Sequence, residues 1–118
     1  MKGIELKFKY SLLLLLLLTN IYADKIAGKV VYQEYCSICH SLNMSGSLGK
    51  DFNIVSYTRT KEEVMIYTTN PKLVFKSFGY TANAMPTFPL TQKEVNDVAD
   101  YIDSLQPFKK WMKKTNKD

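Results

Sequence analysis

Cys36-Ser37-Ile38-Cys39-His40 is the stretch from which the rest of this chain is read. Two cysteines separated by two residues, with a histidine directly after the second, form the pattern of c-type haem attachment. The chemistry explains the spacing. On one helical turn the two thiols lie close enough to add to the two vinyl groups on one edge of a haem. The adjoining imidazole then swings beneath the ring and binds the iron. Two other chemistries use such cysteine pairs. A zinc site needs a fourth protein ligand or an open position, and the sequence holds no second Cys pair and no second His. A thioredoxin-like dithiol sits near a βαβ pattern, and none is found here. The expected cofactor is therefore one covalent haem c with its iron, attached through Cys36 and Cys39 and ligated by His40.

Upstream of the motif, Lys2, Lys7 and Lys9 make a basic region, and Leu12 to Leu18 with their flanks make an apolar one. Ile21-Tyr22-Ala23 puts a small residue where a signal peptidase cuts. Residues 1–23 are accordingly read as a signal peptide, with the mature chain starting at Asp24. A membrane-spanning helix wants about 20 apolar residues, and Asn20 interrupts this run early, which favours cleavage over retention as an anchor. No cysteine stands at the cut, so there is no lipoprotein signal. Export agrees with the motif, because haem is attached outside the bacterial cytoplasm and an exported dithiol would otherwise be open to disulfide formation. The expected location is the periplasm.

The chain beyond the leader divides into one small domain, residues 24–107, and a basic tail, residues 108–118. A domain of this size buries little surface and commonly needs a staple. With both cysteines given to haem no disulfide is available, and the haem itself supplies the apolar centre. Helix signals dominate. Asp24 is placed to cap a first helix carrying Ile26, Val30, Val31 and Tyr35 at helical spacing, with Gly28 and Tyr32 on a neighbouring stripe. Ser41 to Tyr57, rich in Ser, Gly and Asn, reads as a long loop. Thr60 and Glu63 form a capping box before Val64, Ile66 and Tyr67. Asn70-Pro71 offers an N-cap and an N1 proline for a further short helix closed by Gly79. Tyr80 to Leu90 is again a loop. Thr91 and Glu94 open the last helix, in which Val95, Val98, Ala99, Ile102 and Leu105 mark one face, and Pro107 marks its end. No stretch alternates with period two, so the fold class is all-α.

His40 is the only histidine, which excludes bis-histidine ligation within one chain. A Met, a Lys or an open site remains. Met44 has too little chain between it and His40 to reach the opposite face of the ring. Met65 falls inside a short helix and reads as a flexible core residue. Met112 lies in the polar tail. Met85 stands in a loop directly before Pro86, where the backbone is pushed towards an extended form that suits a strap across a ring face. Met85 is the expected second axial ligand.

The attachment motif, the segment Met85-Pro86-Thr87-Phe88 and the final helix Val95 to Leu105 together resemble class I monohaem cytochrome c, from about Gly28 to Leu105. The resemblance implies a small fold in which the first and last helices cross near one covalent haem, with short helices and loops wrapped around it. Gly28, Tyr32 and Tyr101 match the places where those helices meet in that family, and Asn70-Pro71 resembles the turn that often precedes the methionine loop. One departure is plain. The family usually carries Gly-Pro after the motif, with a carbonyl there accepting the proximal imidazole N–H, whereas this chain reads Leu48-Gly49-Lys50-Asp51-Phe52. A carbonyl acceptor is still expected, because a ligating His normally donates its second N–H.

With His and Met both bound the iron has no free position, and the expected function is single-electron transfer rather than catalysis. The soft thioether favours ferrous iron and raises the potential. Tyr80 or Asn83 is a candidate for tuning that potential near the methionine sulfur, and Tyr57 and Arg59 for serving the haem propionates. The alternative is a haem enzyme or gas sensor with an open or displaceable sixth position, and the absence of a distal His weighs against it. A third reading is a tethered or subunit cytochrome working inside a larger complex. The whole chain carries a formal charge of +5 and the part after Ala23 +3. Lys50, Lys72 and Lys76 lie in segments expected to flank the haem, so the expected partners are redox proteins with acidic docking surfaces. Lys109, Lys110, Lys113, Lys114 and Lys117 surround Trp111 in the tail, which reads first as solvated and second as a membrane or reductase contact. Nucleic-acid binding is not expected of an exported haem protein, and the chain is expected to act as a monomer.

Overall fold

The computed structural model describes residues 2–43 and 46–105, with only the backbone described at residues 2 and 19–23. Five α-helices occur among them and no strand: α1 (Lys2–Val31), α2 (Phe52–Thr58), α3 (Lys61–Thr69), α4 (Pro71–Val74) and α5 (Gln92–Ser104). The all-α expectation is met. Met44 and the tail from residue 106 onward, with Pro107, Trp111, Met112 and its lysine cluster, lie outside the described residues.

The crossing of α1 over α5 organises the domain. A Cβ at Gly28 would stand 2.0 Å from the Asp97 carbonyl oxygen and 2.8 Å from Cβ of Tyr101. Only a residue without a side chain lets the two backbones approach this closely. Next to the contact Val31, Tyr32, Val98, Ala99, Tyr101 and Ile102 are buried in one cluster that also holds Cys36, Phe52 and Val64. Full burial of Val98 and Ile102 is worth about 1.5–3 kcal/mol each. The stripe read from the sequence is thus corrected by a small rotation. Ile26 and Val30 face outward, and Gly28, Val31 and Tyr32 face α5.

Asp24 caps nothing in this chain. α1 runs from Lys2 through Ala23 and Asp24 without a break, because no proline interrupts it and the leucine run is a strong helix former. Leu12 to Leu18 are exposed along this arm. Among the described residues no helix is long and apolar enough to cross a membrane. After Val31 the helix widens into a π-helical turn, Tyr32–Cys36, in which the Ser37 N–H reaches back to the Tyr32 carbonyl at 2.9 Å.

The segment read as a loop from Ser41 to Tyr57 contains a helix. Asp51 caps α2, its side chain accepting the Asn53 N–H at 3.0 Å. Phe52 turns into the core, and the buried Ser56 hydroxyl donates to the Ile102 carbonyl at 3.3 Å. Tertiary burial of one face overrides the weak helix propensity of Asn53, Ser56 and Thr58.

The other helix starts match their sequence signals. Thr60 and Glu63 close a reciprocal capping box at 3.1 and 2.7 Å, and Thr91 and Glu94 do the same at 3.2 and 2.7 Å. Asn70 caps α4 and Pro71 occupies its first turn. α4 itself is a single turn, followed by turns that end at Gly79 in the left-handed region, φ +86°. An ion pair between Lys61 and Asp100 at 2.6 Å fastens α3 to α5.

Candidate functional site

The attachment motif leaves the π-turn as a tight bend. The N–H groups of Cys39 and His40 both donate to the Cys36 carbonyl, at 3.1 and 2.9 Å. Cys36 is buried and Cys39 half-buried, and both are free thiols. Burial, and secondarily the nearby Cys39, push the Cys36 thiol up to about 11. A redox dithiol has one thiol depressed towards neutrality, and the direction at Cys36 is the opposite. Among the described residues no three His, Cys, Asp or Glu side chains gather in a way that would hold a metal ion by themselves.

His40 is held on four sides. Its Nδ1 lies 2.7 Å from the carbonyl oxygen of Lys50. Its own carbonyl accepts the Tyr32 hydroxyl at 2.7 Å. The Phe52 ring stacks on the imidazole at 4.3 Å and 16°. Gly49 closes the remaining side, where a Cβ would fall 2.3 Å from Cε1 and 2.5 Å from Nδ1. The Gly49 N–H donates to the Cys39 carbonyl at 2.7 Å, which folds the loop back over the motif.

This geometry settles the tautomer. A carbonyl only accepts, so Nδ1 carries the proton and Nε2 presents its lone pair. Burial lowers the pKa of His40 against the opposing pull of the Lys50 carbonyl and the Asp51 charge, which keeps the ring neutral. A neutral imidazole with one nitrogen anchored and the other unprotonated, in one motif with two free thiols, is the donor set a covalent haem requires. The residues present fit the group.

The loop expected to carry the second ligand crosses from Tyr80 to Leu90. Met85 lies half-buried within it. Phe88 meets Tyr35, one residue before Cys36, at 5.5 Å between ring centroids. Asn83, expected near the methionine sulfur, hydrogen-bonds the Met85 backbone. Tyr80 sits beneath Lys50 Nζ and Arg59 Cζ, at 5.1 and 5.6 Å from its ring centroid. Met65 packs against the core cluster, as its helical position suggested.

Arg59 has partners within the protein. It donates to the Phe78 carbonyl at 2.5 Å, lies over the Phe78 ring at 4.6 Å and pairs with Glu63 at 3.7 Å. Tyr57 is half-buried on α2. Lys50, Lys72 and Lys76 are exposed. Sequence reasoning missed Gly49 and Phe52 as the walls of the His40 site, and Tyr32 as its hydrogen-bond donor. The glycine directly before the carbonyl-bearing residue was the one available signal.

A family model described as Cytochrome c matches residues 26–106. No curated protein and no solved structure matches the chain.

Proposed function

The chain belongs to the cytochrome c family, a haem-binding electron-transfer family whose haem c is covalently attached, and we propose that it is an exported single-electron carrier with His40 and Met85 as axial ligands. Cys36 and Cys39 would supply the two thioether sulfurs, His40 its Nε2 and Met85 its thioether sulfur. When bound, the haem supplies one-electron exchange between ferrous and ferric iron. The residues around it have a different task, which is to hold still while the charge changes. Lys50, Phe52, Gly49 and Tyr32 fix His40 in one orientation, so little reorganisation accompanies the transfer. No acid or base is needed.

One observation carries this reading: the Nδ1–H of His40 is anchored on the Lys50 carbonyl, which makes Nε2 the lone-pair nitrogen, and both thiols of the motif are free. Exposed Lys50, Lys72 and Lys76 support short-lived docking to acidic redox partners, for which small interfaces and electrostatic steering suffice. We read the carrier as a periplasmic monomer released by cleavage after Ala23, with the basic tail as a secondary contact to an anionic membrane or a partner. N-terminal sequencing of the native protein tests release, since Asp24 supports it and Met1 indicates a tether.

The test of ligation is the visible spectrum of the haem-loaded protein, oxidised, reduced, and reduced with carbon monoxide. Sharp low-spin bands, a weak near-red band that vanishes in Met85→Ala, and little response to carbon monoxide are expected. A high-spin spectrum or rapid carbon monoxide binding in the unmutated protein would mean an open site and a sensor or enzyme.

A further inference from the structure

The Asn83 side chain closes two hydrogen bonds onto the backbone of Met85. Its Nδ2 donates to the Met85 carbonyl at 3.0 Å, and its Oδ1 accepts the Met85 N–H at 3.2 Å. The orientation of the amide is forced, because a carbonyl only accepts and a backbone N–H only donates. Oδ1 also takes the Tyr67 hydroxyl at 3.2 Å. Tyr67 belongs to α3, and the rings of Phe78 and Tyr80 meet it edge-on at 5.2 and 5.6 Å. Burial, with a smaller contribution from Tyr80, raises the Tyr67 phenol above its ordinary value, so it remains a donor.

The strap has little else to hold it. Among the described residues the backbone groups of residues 81–87 make no hydrogen bond to other backbone groups. Its flanks are tied by the Tyr80 N–H to the Phe75 carbonyl at 3.0 Å and by the Tyr35–Phe88 contact. Among the described residues, the hydrogen bonds that fix the Met85 segment to the helical frame between those ties run through one side chain, Asn83.

We propose that Tyr67 and Asn83 are positioning residues for Met85, forming a relay from α3 that fixes the strap backbone and so holds the thioether in place as an iron ligand. The proposal rests on Met85 being the sixth ligand. Neither is proposed as a ligand: Asn83 acts on the Met85 backbone, and Tyr67 acts through Asn83. Their effect is on how often the sulfur leaves, because an unrestrained strap gains conformational freedom when its ligand dissociates. An external ligand that competes for the sixth position then reports the strength of the clamp directly.

The experiment is imidazole titration of the ferric haem-loaded protein, followed by loss of the near-red methionine band, with a thermal melt on each variant. Asn83→Ala removes both bonds to Met85 and is expected to bind imidazole about tenfold more tightly, the effect of one to two neutral hydrogen bonds. Tyr67→Phe keeps the ring packing and is expected to give about threefold, the lower end for one such bond. The double variant should match Asn83→Ala, since Tyr67 acts through Asn83. If Asn83→Ala fails to load haem, Tyr67→Phe decides. Loss of the band in Met85→Ala, with unchanged imidazole affinity in the other variants, overturns the relay and leaves the ligand assignment standing. A lowered melting temperature with unchanged imidazole affinity also overturns it. An unaltered spectrum in Met85→Ala overturns both.

Discussion

The main-chain carbonyl of Lys50 accepts the Nδ1–H of His40 at 2.7 Å. The resemblance placed a proline at this position, and the bond shows why a lysine serves there: the acceptor is a backbone atom, which every residue carries. The side chain points elsewhere, over the ring of Tyr80. Position 49 has no such freedom, because a Cβ would enter the imidazole. Lys50→Ala in the haem-loaded protein is therefore expected to leave the His40 N–H proton resonance and the midpoint potential unchanged. Gly49→Ala should shift both and lower haem incorporation. NMR and potentiometry on the two variants check the contrast.

Gly28→Ala tests the helix crossing. The added methyl would meet the Asp97 carbonyl at 2.0 Å, so α1 and α5 must separate. Overpacking of this kind costs about 1–3 kcal/mol. In a domain of roughly 60–100 residues, each kcal/mol lowers Tm by about 4–8 °C. A melt unchanged within about 2 °C would contradict a backbone crossing this close.

Thr91→Ala removes the side-chain half of the capping box on α5 and is expected to cost about 1 kcal/mol. The cap is exposed, and the potential should stay where it is. Thr91→Ser keeps the hydroxyl and should restore most of the loss. Denaturant midpoints of the three proteins measure it.

Alkaline pH should destabilise the fold. Burial, the leading cause in each case, raises the phenols of Tyr32, Tyr67 and Tyr101. A raised folded pKa means the folded state keeps protons that the unfolded chain releases. Its stabilising contribution is complete below the ordinary value of about 10 and is lost as pH rises through the folded value. Tyr80 runs the other way. Burial raises it, but hydrogen bonds and charges from Arg59 and Lys50 outweigh burial and lower it. Its contribution is present above about 10 and is lost as pH falls through the lowered folded value. Three groups oppose one, so denaturant midpoints should fall from pH 9 to pH 11. Phenolate absorbance should show one early ionisation that disappears in Tyr80→Phe.

Local signals survived into the structure where four or five consecutive residues suffice to make them. The capping boxes at Thr60 and Thr91 are of this kind, as is the Asn70-Pro71 start; the apolar face of α5 survived because its period repeats within one helix. α2 was hidden because it is only seven residues long and follows a Ser-, Gly- and Asn-rich stretch, and its burial depends on Tyr32 and Ile102, which are remote in sequence. Asp24 illustrates the converse. A capping residue in sequence becomes an ordinary mid-helix residue when the preceding segment is itself helical.

The all-α class, the haem-binding cytochrome c family and the candidate residues Cys36, Cys39, His40 and Met85 came from the sequence by itself, because covalent attachment needs fixed residue types at fixed spacing, helices carry local caps and periods, and one methionine stands in a loop before a proline. Tertiary structure alone decided which carbonyl anchors His40, that Phe52 and Gly49 wall its ring, and that Asn83 grips the Met85 backbone. Those contacts use backbone atoms and van der Waals surfaces, and join residues as far apart as 40 and 52. Every residue has a carbonyl and many have a ring; only the folded chain selects the one that is within reach.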